Sequence, residues 1–446
     1  MTVTVKLDPS KRHSDGLAKV TLCGQGLDGT ELDLPFKELS DRLGTPNADA
    51  LDLLLVASLC YVIDKVVERK SSVDAWTREL SVELPVSNPE RWNAIAGEFD
   101  AALMFLTGDI WSTSFRSIEC DLFKRPKKRR RRRMALIRQG SMGAVGLFSG
   151  GLDSLIGAID FLEVNPQERI LLLGHYDSSG PRSQQVELHE HLRLQYPGRT
   201  SALHVRVSHK PFKNAEPSLR SRSLVFMALG IYAASSYGRE VPLYASENGL
   251  IALNAPLTPS RAGSCSTRTM HPFFLKKVRS LVKQLGFDNP IVNEYQLKTK
   301  ADCVLECRNA VVLGALARTT VSCSHGSRRQ HWTRKGANNC GYCVPCLFRR
   351  ASLHIVGLDD GLDYGIDVCS SELDTTSDLS SADDVRAVAA FLQKIRSVGA
   401  AERAIVRVAS VDCQKESAEM LLRGVEQIRS WINAKGTLSL RTAAGL

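Results

Sequence analysis

Alternation and helical spacing of apolar positions divide the chain into three stretches of different character. Near the start, Val3, Val5 and Leu7 alternate with polar residues, as do Leu80, Val82 and Leu84, the period of half-buried strands. Between them residues 48–69 are apolar on almost every side and predict a buried helix. Its uncharged run, residues 53–63, is 11 residues long, short of the about 20 that cross a bilayer. Asn88 followed by Pro89 predicts a second helix, with Pro89 at its first position. Residues 1–123 therefore read as an accessory α+β domain suited to binding a partner. From Ala144 the pattern changes. Short apolar runs at 144–148, 170–174, 203–207 and 243–245 alternate with helical stretches near 152–163, 184–196 and 222–237. This alternation predicts an α/β domain over 141–357, a parallel sheet with helices on both faces. Residues 358–446 read as a C-terminal helical extension. There, 381–397 predict a helix with Ser381 and Asp384 as a capping box and Val385, Val388, Leu392 and Ile395 as its apolar face.

Length supports this division, since 446 residues are too many for one core. The N-terminus lacks an apolar signal core, which points to a cytoplasmic product without a membrane span. In that setting the twelve cysteines read as metal ligands or small buried hydrophobes rather than a disulfide framework. The formal charge of +10 is concentrated in one place. Between Lys124 and Arg133 the sequence KRPKKRRRRR carries nine basic residues and no acid, leaving +1 for everything else. This run is expected to be a basic linker (124–140) or a contact for nucleic acid or an acidic protein face. No aromatic side chains are interleaved with it, which argues against a single-strand stacking platform.

The densest local signal is Ser149-Gly150-Gly151-Leu152-Asp153-Ser154, where an apolar strand gives way to an amphipathic helix. Leu152, Leu155, Ile156 and Ile159 have the spacing of a core-facing stripe. A helix N-terminus is thereby set at the C-terminal edge of the sheet, where α/β proteins bind ligands. Paired glycines let backbone N–H groups approach an anion, and Ser149 and Ser154 add hydroxyl donors. Asp153 is the odd member beside an anion; it suits a helix cap or a ligand of nucleotide-borne Mg2+. The Gly-Lys-Ser/Thr of a Walker loop is missing. A second signal is Cys340-x2-Cys343-x2-Cys346 with Cys323 upstream across a polar loop. Four thiolates so gathered make a closed, structural zinc site; an iron–sulfur cluster is the alternative. The remaining cysteines, Cys303 and Cys307 included, read as packing residues.

The loop resembles that of the PP-loop ATP pyrophosphatases, which cleave ATP between its α and β phosphates and adenylate a substrate. Loop and cysteines together resemble the QueC-like (7-cyano-7-deazaguanine synthase-like) family over about residues 144–354, and the chain's length resembles the QatC family of the Qat anti-phage system. The resemblance implies the PP-loop (HUP) fold, with ATP, Mg2+ and Zn2+ as cofactors. It implies that a 7-deazaguanine-type small-molecule acid is adenylated and passed to ammonia or to an amine of a protein partner from the same defence system. In that scheme Ser149, Gly150, Gly151, Leu152, Asp153 and Ser154 hold the nucleotide. Asp153, Ser154 and Arg222 serve catalysis, while Glu247, Asn248 and Arg222 meet the acid substrate. Cys323, Cys340, Cys343 and Cys346 hold zinc. The chain departs from the family in a longer spacer after Cys323, in Ser223 where the family has Asn, and in its two added regions. The competing expectations are a thiolating tRNA-modifying enzyme of the PP-loop class and a nucleic-acid-binding protein with a vestigial ATP site.

Overall fold

The computed structural model describes residues 1–446 apart from 13–16, 25, 28, 35, 45–46, 119, 124–141, 177–178, 211–215, 217, 259–267 and 371–381. The basic run from Lys124 to Arg133, with the expected linker, lies outside the described residues. Among those described, eleven strands occur: β1 (Thr2–Arg12), β2 (Ala18–Cys23), β3 (Thr30–Asp33), β4 (Glu79–Val86), β5 (Ile110–Ser117), β6 (Ala144–Leu147), β7 (Ile170–Tyr176), β8 (Thr200–Arg206), β9 (Ser208–Lys210), β10 (Leu243–Tyr244) and β11 (Ile291–Val292). They form a mixed sheet in the order β5-β4-β1-β2-β3-β9 and a second sheet in the order β11-β10-β6-β7-β8. Every pairing in the second sheet is parallel. The molecule is thus α/β, with a mixed and a parallel sheet and helices packed against both. No helix among the described residues is long and apolar enough to cross a membrane.

Strand order locates the site. The chain builds β6, β7 and β8 outward in one direction, then returns to place β10 and β11 on the other side of β6. The reversal leaves a crevice between the C-terminal ends of β6 and β10, the switch point at which open parallel sheets take ligands. Helix Leu152–Val164 starts there, and Leu152, Leu155, Ile156 and Ile159 are fully buried beneath it, as their spacing predicts.

The two sheets are not independent. One residue after β8 leaves the parallel sheet, β9 pairs antiparallel with β3 of the mixed sheet. Helix Ala48–Val66 packs along helix Arg222–Tyr237, and Leu54, Leu55, Leu224 and Ala228 share one core. This explains why residues 50–64 are buried around the whole helix rather than along a stripe. The helix stops at Val66, short of the expected Arg69, because Arg69 turns inward through a 3-10 turn. Its guanidinium pairs with Asp109 at 2.8 Å and Asp64 at 3.4 Å, and Arg78 reaches Asp109 at 2.6 Å and Asp64 at 2.5 Å. All four side chains are buried, so each charge depends on its partners.

The C-terminal helices form a second core around Trp431, Leu421, Leu392 and Ile395. Val385, Val388, Leu392 and Ile395 face it as predicted. This helix runs Asp383–Lys394 behind Ala382; the expected capping box includes Ser381, which lies outside the described residues, and the Asp384 carboxylate accepts from the Val344 backbone N–H at 3.2 Å.

Truncating one member of a buried ion cluster strands the others, at about 3–5 kcal/mol. Asp109→Ala is therefore expected to lower unfolding free energy by that amount in urea titration, whereas Asp288→Ala, from an exposed pair with Arg239, should cost under about 1 kcal/mol.

Candidate functional site

The loop after β6 adopts a shape that only its own sequence permits. Gly150 sits at φ +83°, in the left-handed region open to glycine, and its carbonyl accepts from Val321 N–H at 2.8 Å. Ser154 Oγ donates to Gly151 O at 2.9 Å and lies 3.4 Å from Ser149 Oγ. Gly151 N–H is directed at Ser149 Oγ at 3.3 Å, and Leu152 N–H at Ser322 Oγ at 3.5 Å. These contacts are long and hydroxyl-mediated. Rotating two serines would free N–H groups at a helix N-terminus, the arrangement that receives phosphate.

Asp153 does not cap its helix, whose cap position is held by Gly151, and its carboxylate is paired within the protein. One carboxylate oxygen accepts from Lys300 Nζ at 2.5 Å and the other from Asn248 Nδ2 at 2.6 Å. Lys300 is buried, and the sequence reading missed it. Its signal was present: it opens helix Lys300–Leu305 behind a Thr299/Asp302 capping box, where a cation opposes the helix dipole. A lysine at that position needs a carboxylate close by, and Asp153 provides it. Asn248 is likewise spent, because its Oδ1 accepts from Ile251 N–H at 3.1 Å to cap a short helix. The buried Asn248 amide thus links Asp153 to the start of that helix.

Between β6 and β10 lies a cavity of about 260 Å³, lined by Ser149, Ser154, Arg222, Phe226, Glu247 and Met270 among others. Four of the sequence-selected residues thus meet in one space. Arg222 opens helix Arg222–Tyr237 and is held by His175, which takes its Nε–H at Nδ1 (3.2 Å) and its Nη2–H at the carbonyl (3.1 Å). Burial, reinforced by the Arg222 charge, pushes the His175 imidazole well below its ordinary value and keeps it neutral. The Arg222 guanidinium also lies 5.1 Å from the Phe226 ring. Burial pushes the Glu247 carboxyl up to about 8; the nearby Asp153 charge adds to this and Lys300 opposes it. His271 is buried and caps helix Pro272–Gln284 by accepting from Phe273 N–H.

Cys323, Cys340, Cys343 and Cys346 converge, with their sulfurs within 4.8 Å of one another, and could hold a metal such as zinc. A tetrahedral ion with metal–sulfur bonds of about 2.3 Å needs sulfurs about 3.8 Å apart, and Cys340 and Cys346 lie at 3.8 Å. Backbone N–H groups of Cys340, Tyr342 and Cys343 point at the sulfurs at 3.2–3.4 Å, the donors a thiolate cluster needs. Gly341 makes the knuckle possible: at φ +88°, a β-carbon there would stand 2.1 Å from Ile366 O. Cys303 and Cys307 are buried in the core as expected, whereas Cys413 is exposed, against the packing reading.

The cysteine module is joined to the loop. Val321 and Ser322, which contact Gly150 and Leu152, immediately precede Cys323. Asn339, immediately before Cys340, brackets the same segment by accepting from Ser322 N–H at 3.0 Å and donating to Thr320 O at 3.0 Å. A metal would therefore clamp both sides of the strut supporting the loop.

Two outcomes follow from this geometry. Cys343→Ser should lower metal content measured by plasma mass spectrometry and raise amide exchange at Gly150 to Leu152, while exchange within β1 stays unchanged. Because the folded Glu247 carboxyl binds its proton more tightly than the unfolded one, its contribution to stability is full below about pH 4.5 and is lost as pH rises through about 8. Glu247→Gln should thus flatten the decline in melting temperature between those limits.

Comparison of the chain with protein-family models, with curated proteins and with solved structures finds no match, so the reading of this site rests on its own geometry.

Proposed function

We propose that the crevice between β6 and β10 binds ATP and uses it to adenylate a small carboxylic acid, in the manner of the QueC-like PP-loop enzymes. The observation that carries this reading is the meeting of Ser149 and Ser154, from a glycine-serine loop at a helix N-terminus, with Arg222 and Glu247 around one cavity, the loop helix being anchored behind it by the Asp153–Lys300 pair. Loop N–H groups and hydroxyls suit the leaving pyrophosphate, and Lys300 places an ammonium beside them on a rigid carboxylate anchor. Arg222 faces the cavity from the opposite side and suits either a phosphate or the acid, since a guanidinium pairs bidentately with both.

In the reaction so proposed, a carboxylate oxygen of the acid attacks the α phosphorus. The bond from that phosphorus to the bridging oxygen breaks, pyrophosphate leaves, and an acyl adenylate remains. An amine then displaces AMP and loses a proton, giving an amide. This chain contributes positioning and charge rather than a nucleophile. Neutral at pH 7, Glu247 can donate a hydrogen bond to the substrate or accept a proton above its own pKa. Asp153, the loop's own carboxylate, accepts from Lys300 and Asn248. Magnesium accordingly enters this proposal as the counter-ion of ATP. Zinc in the four-cysteine site would supply structure alone, since four thiolates leave no position for substrate.

The acid is proposed to be of the 7-deazaguanine type and the acceptor to be ammonia or a protein amine. Incubation with ATP, magnesium and 7-carboxy-7-deazaguanine should yield an adenylate, amide or nitrile by mass spectrometry. Lys300→Ala should slow its formation about 100-fold or more, the usual loss when one preorganised charge is removed. Full turnover by that variant, or no product from the wild-type protein with any deazaguanine acid, would remove the proposal.

A further inference from the structure

Helix Ala48–Val66 belongs to the N-terminal region, which the sequence assigns to partner binding, yet it reaches both supports of Arg222. The first support is the start of helix Arg222–Tyr237. Ser221 occupies the cap position there but makes no side-chain cap of its own. Its hydroxyl donates instead to Asp64 Oδ2 at 2.6 Å, and its backbone N–H faces the same oxygen at 3.4 Å. Ser218 Oγ donates to it as well, at 3.2 Å. A fully buried carboxylate from another helix therefore stands at the positive end of the Arg222 helix, where a capping side chain would normally be. The second support is His175. Tyr61, one turn before Asp64, meets the His175 ring edge-on at 6.0 Å, and Phe226 meets it at 5.4 Å.

Charge explains how Asp64 can occupy this place. Burial disfavours its ionised form, but Arg78, Ser221 and Arg69 outweigh that and hold the carboxyl below the usual range. Arg78 and Arg69 are in turn fixed by Asp109. The buried quartet thus fixes one carboxylate, and that carboxylate fixes the first residues of the helix that presents Arg222. We infer that Asp64 and Tyr61 are positioning residues for Arg222, so that the N-terminal region is a working part of the cavity. This rests on the proposed role of Arg222 as an anion clamp, although the positioning itself can be measured without any ligand.

Ser221→Ala removes the link to Asp64 while leaving the charge quartet whole, and Tyr61→Leu removes the contact with His175. In protein labelled with [15N]arginine, the Arg222 Nε–H signal, assigned by its loss in Arg222→Lys, should exchange with solvent about tenfold faster in either variant. The Arg350 Nε–H, bound to Asp359 elsewhere, should stay unchanged. Unchanged exchange at Arg222, or equal acceleration at Arg350, overturns the inference. In a calorimetric titration with magnesium ATP, Ser221→Ala should weaken binding about tenfold in the wild-type background and not at all in Arg222→Ala. An equal loss in both backgrounds also overturns it. Absence of ATP binding by the wild-type protein contradicts the functional proposal alone, and the exchange measurement still decides the positioning.

Discussion

A buried ammonium must be paired, and the crevice is organised around the pairing of Lys300 with Asp153. Three chain segments are fixed by that one carboxylate. The loop helix supplies Asp153, the end of β10 supplies the Asn248 amide, and the helix after β11 supplies Lys300. Without the pair, the switch point of the parallel sheet would be a gap between strand ends. With it, the loop helix is anchored and the serine hydroxyls of the loop line one cavity with Arg222 and Glu247.

The opposing wall is held by equivalent means. Arg222 is gripped by a neutral imidazole at its guanidinium and by Asp64 behind its backbone. Beneath the loop, Ser322 and Asn339 tie the strut to residues adjoining two of the four cysteines. Each support brings a polar or charged group into the interior, and each such group finds its partner on a different part of the chain. β9 crosses to the mixed sheet as well, and one core runs through both sheets.

Much of this was legible in the sequence where the signal is local. Strand alternation, the stripe of Leu152, Leu155, Ile156 and Ile159, and the cysteine spacing each require only a few neighbouring residues. What the sequence reading missed depends on partners far apart in the chain. Lys300 lies 147 positions from Asp153, and Asp64 lies 157 from Ser221. The cap that Asn248 makes to Ile251 is local, but its bond to Asp153 spans 95 positions. Asp64 was visible only as the acid ending an apolar run, and its compensating cations, Arg69 and Arg78, lie beyond that run.

The central claim is that this crevice cleaves ATP between its α and β phosphates. Phosphorus NMR of the products formed from ATP and magnesium, with and without a deazaguanine acid, tests it most directly. The account predicts AMP and pyrophosphate in equal amounts, dependent on the acid and lost in Asp153→Ala. Formation of ADP and inorganic phosphate, or of AMP and pyrophosphate undiminished in that variant, would contradict it.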